Sequence, residues 1–286
     1  MALTFVTFNM LNKILVANLH RIPHDIDVVV GVPRSGLLLA NMIACYFNKP
    51  LTDVDGALAG RLFEMGSTKP RDGMIKNFST AKKILVVDDT VYTGLSLNRA
   101  KARLAHVAAE KIYLAAFVVP ESAAMVDMFF ATVPQPRVFE WNFMHHPIIG
   151  RCCVDFDGVL CQDPAPEQDD DGENYRRFLL TAAPKFIPSF TVGCIVTARL
   201  KKYSEETVRW LNEHNVKFNA LAMLDGVTAH QRQVLALNAK FKAQVYGSIE
   251  SAMLFVESNP DQAQEIFRLT GKPVWCVANS AMYAEV

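Results

Sequence analysis

Along the chain, short apolar runs alternate with segments of helical pattern. The runs are DVVVGV (27–32), KILVVD (83–88), KIYLAAFVV (111–119), RCCVDFD (151–157), TVGCIVTA (191–198) and KPVWCVA (272–278). Strand-like runs that alternate with helices predict parallel-sheet α/β architecture. Each of the first two runs leads into a glycine-containing turn and then a helix-like segment. Some helix ends are also marked. In SNPDQAQEIFRLTG (258–271), Asn259 can cap the start, Pro260 suits the first turn and Gly271 suits the stop. Ser204 can cap the helix carrying Glu205, Glu206, Val208, Trp210 and Leu211.

One stretch breaks the alternation. VPQPRVFEWNFMHHPIIG (133–150) holds three prolines, a terminal glycine and little periodicity, and a buried strand pattern restarts after it. Two domains are therefore expected, residues 1–149 and 150–286, each of ordinary domain size. Segment 162–190 opens with QDPAPEQDDDGENYRR, which is acidic and turn-rich. It reads as a surface insertion or small flap rather than a core element.

Composition narrows the class. Of 286 residues, 51% are hydrophobic and 20% charged, so a packed core is easily built and disorder is not expected. The formal net charge is +0, which gives no support to a nucleic-acid or polybasic membrane surface. The start, MALTFVTFNMLNK, lacks a basic region and a small-residue cleavage site. The longest apolar stretch, GLLLANMIACYF, is too short to span a bilayer and contains Asn41. A cytoplasmic protein with no membrane partner is expected. None of the six cysteines forms a zinc-like CxxC pair, and Cys45, Cys152, Cys194 and Cys276 lie in apolar runs as small hydrophobes.

Two strand-end carboxylate pairs carry the chemistry. The first is ILVVDDTVYTG (84–94), where a buried strand ends at Asp88 and Asp89 and a Thr/Gly turn leads into a helix. Free N–H groups and the helix dipole at such a turn suit a phosphate. Thr90 and Thr93 add hydroxyl donors, and Gly94 lets the backbone approach closely. The carboxylates suit ribose hydroxyls, directly or through magnesium. Upstream, DVVVGVPRSG places Arg34, Ser35 and Gly36 in a second strand-then-turn, apt for a pyrophosphate.

Together these stretches resemble the type I phosphoribosyltransferases over about residues 1–149. The resemblance implies that Asp88 and Asp89 hold the ribose of phosphoribosyl pyrophosphate. The loop Thr90, Val91, Tyr92, Thr93 and Gly94 would hold its 5-phosphate, and Arg34 would face pyrophosphate. A mobile loop would correspond to 60–78, with Lys69 and Arg71 closing over the leaving group. The base-holding hood would include part of 120–146, with Phe139 and Trp141 either stacking on the base or lying in the core. The resemblance also leaves a homodimer open.

The second pair is in CCVDFDGVLC (152–161). Asp155 and Asp157 share side-chain parity at a strand's C-terminal end and can reach one crevice. They can bind magnesium, with Asp155 as nucleophile on phosphorus and Asp157 as acid and base. Thr197 ends the run CIVT, Lys242 offers a cation, and Glu257 follows another apolar run with Asp261 close behind.

This order resembles the haloacid-dehalogenase-like hydrolases over about 150–286. VDFDGVL matches their first motif and Thr197 their second. Lys242, with Lys240 as runner-up, would be the third. Glu257 would be the fourth, with Asp261 or Glu250 as further candidates. The resemblance implies a phosphoaspartate on Asp155, a magnesium ion held by Asp155, Asp157 and Glu257, and at most a minimal cap within 162–190. The fold class expected is thus α/β, two Rossmann-like parallel-sheet domains.

The whole points to a bifunctional enzyme of nucleotide metabolism. It would transfer a phosphoribosyl group to a base-like acceptor and hydrolyse a phosphomonoester. Two alternatives stand beside it: a ligand-sensing regulator, or a phosphatase whose first domain only binds. No helix-turn-helix pattern or basic patch favours nucleic acid.

Overall fold

The computed structural model describes residues 3–66, 74–169 and 171–284. Lys69 and Arg71 lie outside them. The chain divides into two compact units, Met10–Arg137 and Val138–Val286, the second joined by Met1–Asn9.

The elements of the first part are β1 (Thr4–Val6), α1 (Phe8–Asn18), β2 (Val28–Gly31), α2 (Gly36–Phe47), β3 (Leu51–Asp53) and α3 (Val54–Leu58). They continue as β4 (Lys83–Val91), α4 (Leu95–Arg103), β5 (Glu110–Val118) and β6 (Met128–Thr132). Strands β3-β2-β4-β5-β6 form a parallel sheet in that order. The interior is aliphatic: Val28, Val30, Ile84, Val86 and Ala100 are buried in one cluster on one face. The order reverses between β2 and β4, so a crevice opens beyond their C-terminal ends, where open α/β sheets take ligands.

The second unit runs through β7 (Arg137–Phe139), β8 (Cys152–Val154), α5 (Glu173–Thr181), β9 (Val192–Leu200), α6 (Ser204–Glu213) and β10 (Phe218–Leu224). It ends with α7 (Ala229–Val234), α8 (Leu237–Ser248), β11 (Leu254–Glu257), α9 (Pro260–Thr270), β12 (Val274–Cys276) and β13 (Ala281–Tyr283). Its sheet has the order β10-β9-β8-β11-β12-β13, parallel except for the last pair. Here the order reverses between β8 and β11, which places a second crevice beyond their C-terminal ends. Both sheets are of the α/β parallel type that the alternating runs predict.

Several expectations need correction. The break between units falls at 137/138 rather than 149/150. The reason is packing: Val138, Phe143, Met144 and Ile149 are buried with Phe5, Cys152, Val154 and Trp275 in one cluster. β1 pairs with β7, so the first strand belongs to that unit as well. Phe139 and Trp141 pack on each other at 5.0 Å, and Trp141 meets Phe8 at 5.5 Å, the core placement that the sequence left open for them. Segment 162–190 is not merely surface. Tyr175, Phe178 and Leu179 of α5 are buried in the core, and Trp210 Nε1 donates to the Ala182 carbonyl at 2.8 Å. Its acidic composition hides a helix with one apolar face.

Ser204 does not cap α6; it is the first helical residue and Tyr203 precedes it as the cap. Asn259 does cap α9, accepting from the N–H groups of Asp261 and Gln262, and Gly271 ends that helix at φ 66°. All six cysteines are free, and Cys45 is exposed rather than buried. Among the described residues no helix is long and apolar enough to cross a membrane.

Candidate functional site

In the first unit the two predicted loops meet. Val32 N–H donates to the Val87 carbonyl at 2.8 Å, which ties the turn after β2 to β4. Gly36 then abuts the acid pair. A Cβ there would lie 2.8 Å from the Val87 carbonyl oxygen and 3.0 Å from Asp88 Oδ1. Only glycine lets the start of α2 come this close to Asp88. Arg34 is exposed on that turn and Ser35 half-buried.

Asp88 and Asp89 do not end their strand, as the sequence suggested. β4 continues to Val91, because Thr90 and Val91 still pair with Phe117 and Val118 of β5. Both acids are consequently buried, and Asp89 N–H donates to Asp88 Oδ1 at 3.0 Å. Burial and the neighbouring Asp89 push the Asp88 carboxyl far above its usual range. Thr90 Oγ1 is buried with no hydrogen-bond partner among the described residues. Tyr92 is exposed, and its carbonyl accepts from Ser122 Oγ. Thr93 Oγ1 accepts from Leu95 N at 3.5 Å. Gly94 turns the chain at φ 74° and brings no capping side chain to α4, so the loop 90–94 presents backbone to the crevice.

One residue here escaped the sequence reading. Arg137 is buried, donates to the carbonyls of Val91 and Val133, and feels the charge of Asp89. Nothing in its Pro-rich surroundings marked it.

In the second unit Asp155 directly follows β8, its N–H donating to Val256 of β11 at 2.9 Å. Its Oδ1 accepts from Phe156 N–H at 2.8 Å and its Oδ2 from Lys242 Nζ at 2.7 Å. Lys242 also donates to Glu257 Oε2 at 2.7 Å and Gln262 Oε1 at 2.9 Å. Lys242, Asp155 and Glu257 are all buried. Lys240 is exposed and bonded to the Leu235 carbonyl, and Asp261 and Glu250 are exposed, so Lys242 and Glu257 are the residues at Asp155. Burial, and then Glu257, push the Asp155 carboxyl up, while Lys242 pulls it back. Burial opposes the charge on Lys242, but Asp155 and Glu257 outweigh it and hold the ammonium protonated.

Asp157 lines the same crevice but is held by another partner. Arg199 Nε lies 3.0 Å from its Oδ2 and Nη2 2.6 Å from its Oδ1. The guanidinium also sits 3.8 Å over the Phe156 ring. Arg199 is two residues beyond Thr197 in β9, on the same face of the strand, and its N–H donates to Thr197 Oγ1 at 3.2 Å. That parity could have revealed it in CIVTARL. Thr197 itself is buried at the same crevice. The crevice is a cavity of about 300 Å³, lined further by Asp163, Tyr175, Arg232 and Asn238.

The fit of magnesium follows from these partners. Asp155, Asp157 and Glu257 do not converge as one three-carboxylate set, since Arg199 holds Asp157; among the described residues no group of three such ligands could hold a metal. Asp155 and Glu257 remain, and one or two carboxylates with waters and substrate oxygens are what magnesium commonly takes. In the first unit Asp88 and Asp89 are likewise two carboxylates, and burial and then Asp89 raise the Asp88 carboxyl.

Comparison with known proteins bears on the first unit. Residues 8–146 match the phosphoribosyl transferase domain. A purine phosphoribosyltransferase from Pyrococcus horikoshii is 18% identical, covering 49% of this chain and 94% of its own, with a TM-score of 0.37. The xanthine-guanine-hypoxanthine phosphoribosyltransferase of Helicobacter pylori is also 18% identical, over 49% of this chain and 92% of its own, at 0.36. Orotate phosphoribosyltransferase from Aeropyrum pernix is 21% identical over 44% of this chain and 70% of its own, at 0.32. Among curated proteins none matches. The similarity to the phosphoribosyl transferase domain thus spans residues 8–146, just under half of the chain.

Proposed function

We propose that the first unit transfers the phosphoribosyl group of phosphoribosyl pyrophosphate to a base-like acceptor, and that the second hydrolyses a phosphomonoester. The observation that carries the first half is the contact of Gly36 with Asp88, which joins both loops at the β2/β4 crevice. Asp88 and Asp89 accept the ribose hydroxyls, and Thr90, Thr93 and the amides before α4 hold the 5-phosphate. Arg34, Ser35 and Gly36 hold the pyrophosphate. The bond from ribose C1 to the pyrophosphate oxygen breaks, the bond to the acceptor nitrogen forms, and the acceptor's proton leaves to solvent.

The second half rests on the resemblance of VDFDG, Thr197, Lys242 and Glu257 to the haloacid-dehalogenase-like hydrolases, and on their meeting at the β8/β11 crevice. Asp155 attacks phosphorus, the bond from phosphorus to the substrate oxygen breaks, and Asp157 gives the leaving alkoxide its proton. Water then cleaves the phosphoaspartate, Asp157 taking its proton, while Lys242 and Thr197 steady the phosphoryl oxygens. Asp88 and Asp89 at one site, and Asp155 and Glu257 at the other, would hold magnesium, which would supply charge neutralisation at the phosphate oxygens. The first product carries a phosphomonoester, which makes its 5′-phosphate the natural substrate of the second site.

The test is incubation with magnesium, phosphoribosyl pyrophosphate and a panel of bases, scoring pyrophosphate and phosphate together. Base-dependent pyrophosphate release that Asp88→Ala abolishes supports the transferase. Phosphate release that Asp155→Asn abolishes supports the phosphatase, and its absence with all phosphomonoesters overturns it. The engagement of both Asp157 oxygens by Arg199 favours a second reading of this unit, binding without turnover. Tight phosphomonoester binding with no phosphate release would select it.

A further inference from the structure

Among the described residues, two polar atoms in the second crevice have no hydrogen-bond partner. Arg232 Nε and Asn238 Oδ1 are buried and unbonded, and both residues line the cavity that holds Asp155. Leaving such atoms unmade is costly, so each is an address for a ligand group.

Their placement is built into the fold. Arg232, on α7, donates through Nη1 to the carbonyl of Ala198, the residue after Thr197, at 3.1 Å. A second nitrogen approaches Asp169 Oδ1 at 4.0 Å. The guanidinium is thus fixed beside the end of β9 with Nε unused. Asn238, on α8, is one turn before Lys242 and so shares its face. Between the two helices Ala236 turns the chain at φ 48°, a left-handed conformation unusual for alanine. Such a residue persists where the surrounding structure demands the corner.

The chemistry of the pair is specific. Arg232 Nε–H only donates and Asn238 Oδ1 only accepts. Hydroxyl groups do both, and a ligand bearing them satisfies both atoms. We infer that Arg232 and Asn238 form a hydroxyl-reading subsite that selects sugar phosphates among phosphomonoesters. This rests on the phosphomonoester reading of the same crevice and names its substrate class.

The test compares ribose 5-phosphate with phenyl phosphate, which carries no hydroxyl, by calorimetric titration of the full chain with magnesium. Asp155→Asn is the background, so that neither ligand is turned over. A preference for ribose 5-phosphate of about tenfold or more is expected, as for one well-made buried hydrogen bond or more. Asn238→Leu and Arg232→Met should each bring the ratio of the two affinities toward one, with thermal unfolding confirming that the variants fold. Binding of both ligands without preference, or a ratio unmoved by both substitutions, overturns the subsite alone. Failure to bind either ligand or inorganic phosphate overturns the phosphomonoester reading and the subsite with it.

Discussion

Arg199 grips both carboxylate oxygens of Asp157 from a position with no solvent exposure, while Asp157 keeps 21% of its side chain exposed. A buried guanidinium has no substitute for that partner. Asp157→Asn should therefore destabilise the second unit by about 3 kcal/mol, because it strands the charge of Arg199. Arg199→Met combined with Asp157→Asn should recover much of this loss. Urea unfolding of the four proteins closes the cycle, and a coupling of about 2 kcal/mol is expected.

Lys242 bears on the ionisation of Asp155, the nucleophile of the proposed phosphatase reaction. Burial and Glu257 raise the Asp155 carboxyl, and Lys242 opposes them. Attack needs the carboxylate, so phosphate release should rise with pH along the acidic limb of its profile. Lys242→Met should move that limb to higher pH and lower the rate at neutrality by about a hundredfold or more. A pH–rate profile of both proteins checks this.

Asp88 makes the first unit sensitive to base. Burial and then Asp89 raise its carboxyl to about 8, against roughly 3.9 in an unfolded chain. Between these values the folded protein binds the extra proton, so its stability is full below about pH 4 and falls as pH climbs through 8. Asp88→Asn removes that dependence. Without magnesium or ligand, the variant should melt about 3 °C or more above the parent at pH 8.5, with a smaller gain at pH 5. Differential scanning calorimetry reads the difference.

Gly36→Ala probes the meeting of the two loops. The new methyl would press on the Val87 carbonyl and on Asp88 Oδ1, so the start of α2 must move away. A cost of about 1–3 kcal/mol is expected. Because the shift opens the crevice itself, the KM for phosphoribosyl pyrophosphate should rise about tenfold or more. Pyrophosphate release kinetics measure it.

Much of this was legible in the chain. Parallel-sheet strands announce themselves as apolar runs, and both acid pairs stand at the ends of such runs. Lys242 and Glu257 could be named as candidates from their order in the chain, but the convergence of Asp155 and Glu257 on the Lys242 ammonium could not. What escaped depended on packing. For Phe139 and Trp141 the sequence left stacking on a base and core packing both open, and only the fold shows them against each other and Phe8. The acidic composition of 162–177 concealed Tyr175, Phe178 and Leu179, whose apolar face needs a three-dimensional neighbour to show its purpose. Ser204 has the right chemistry for a cap, but the helix begins one residue too early to use it. Arg232 and Asn238 carry no motif, and only their unmet hydrogen-bonding capacity sets them apart.

The pairing of Thr4–Val6 with Arg137–Phe139 has a bearing on biosynthesis. The transferase domain is lodged inside the sequence of its neighbour, as a guest between that neighbour's first strand and the rest of it. During translation the first strand leaves the ribosome well before its mate exists. At about 5–20 residues per second it waits roughly ten seconds, while the guest emerges and can fold. Severing the chain after residue 149 would therefore not yield two independent proteins: the first piece would carry off β1 and β7, and the second would be a host without them.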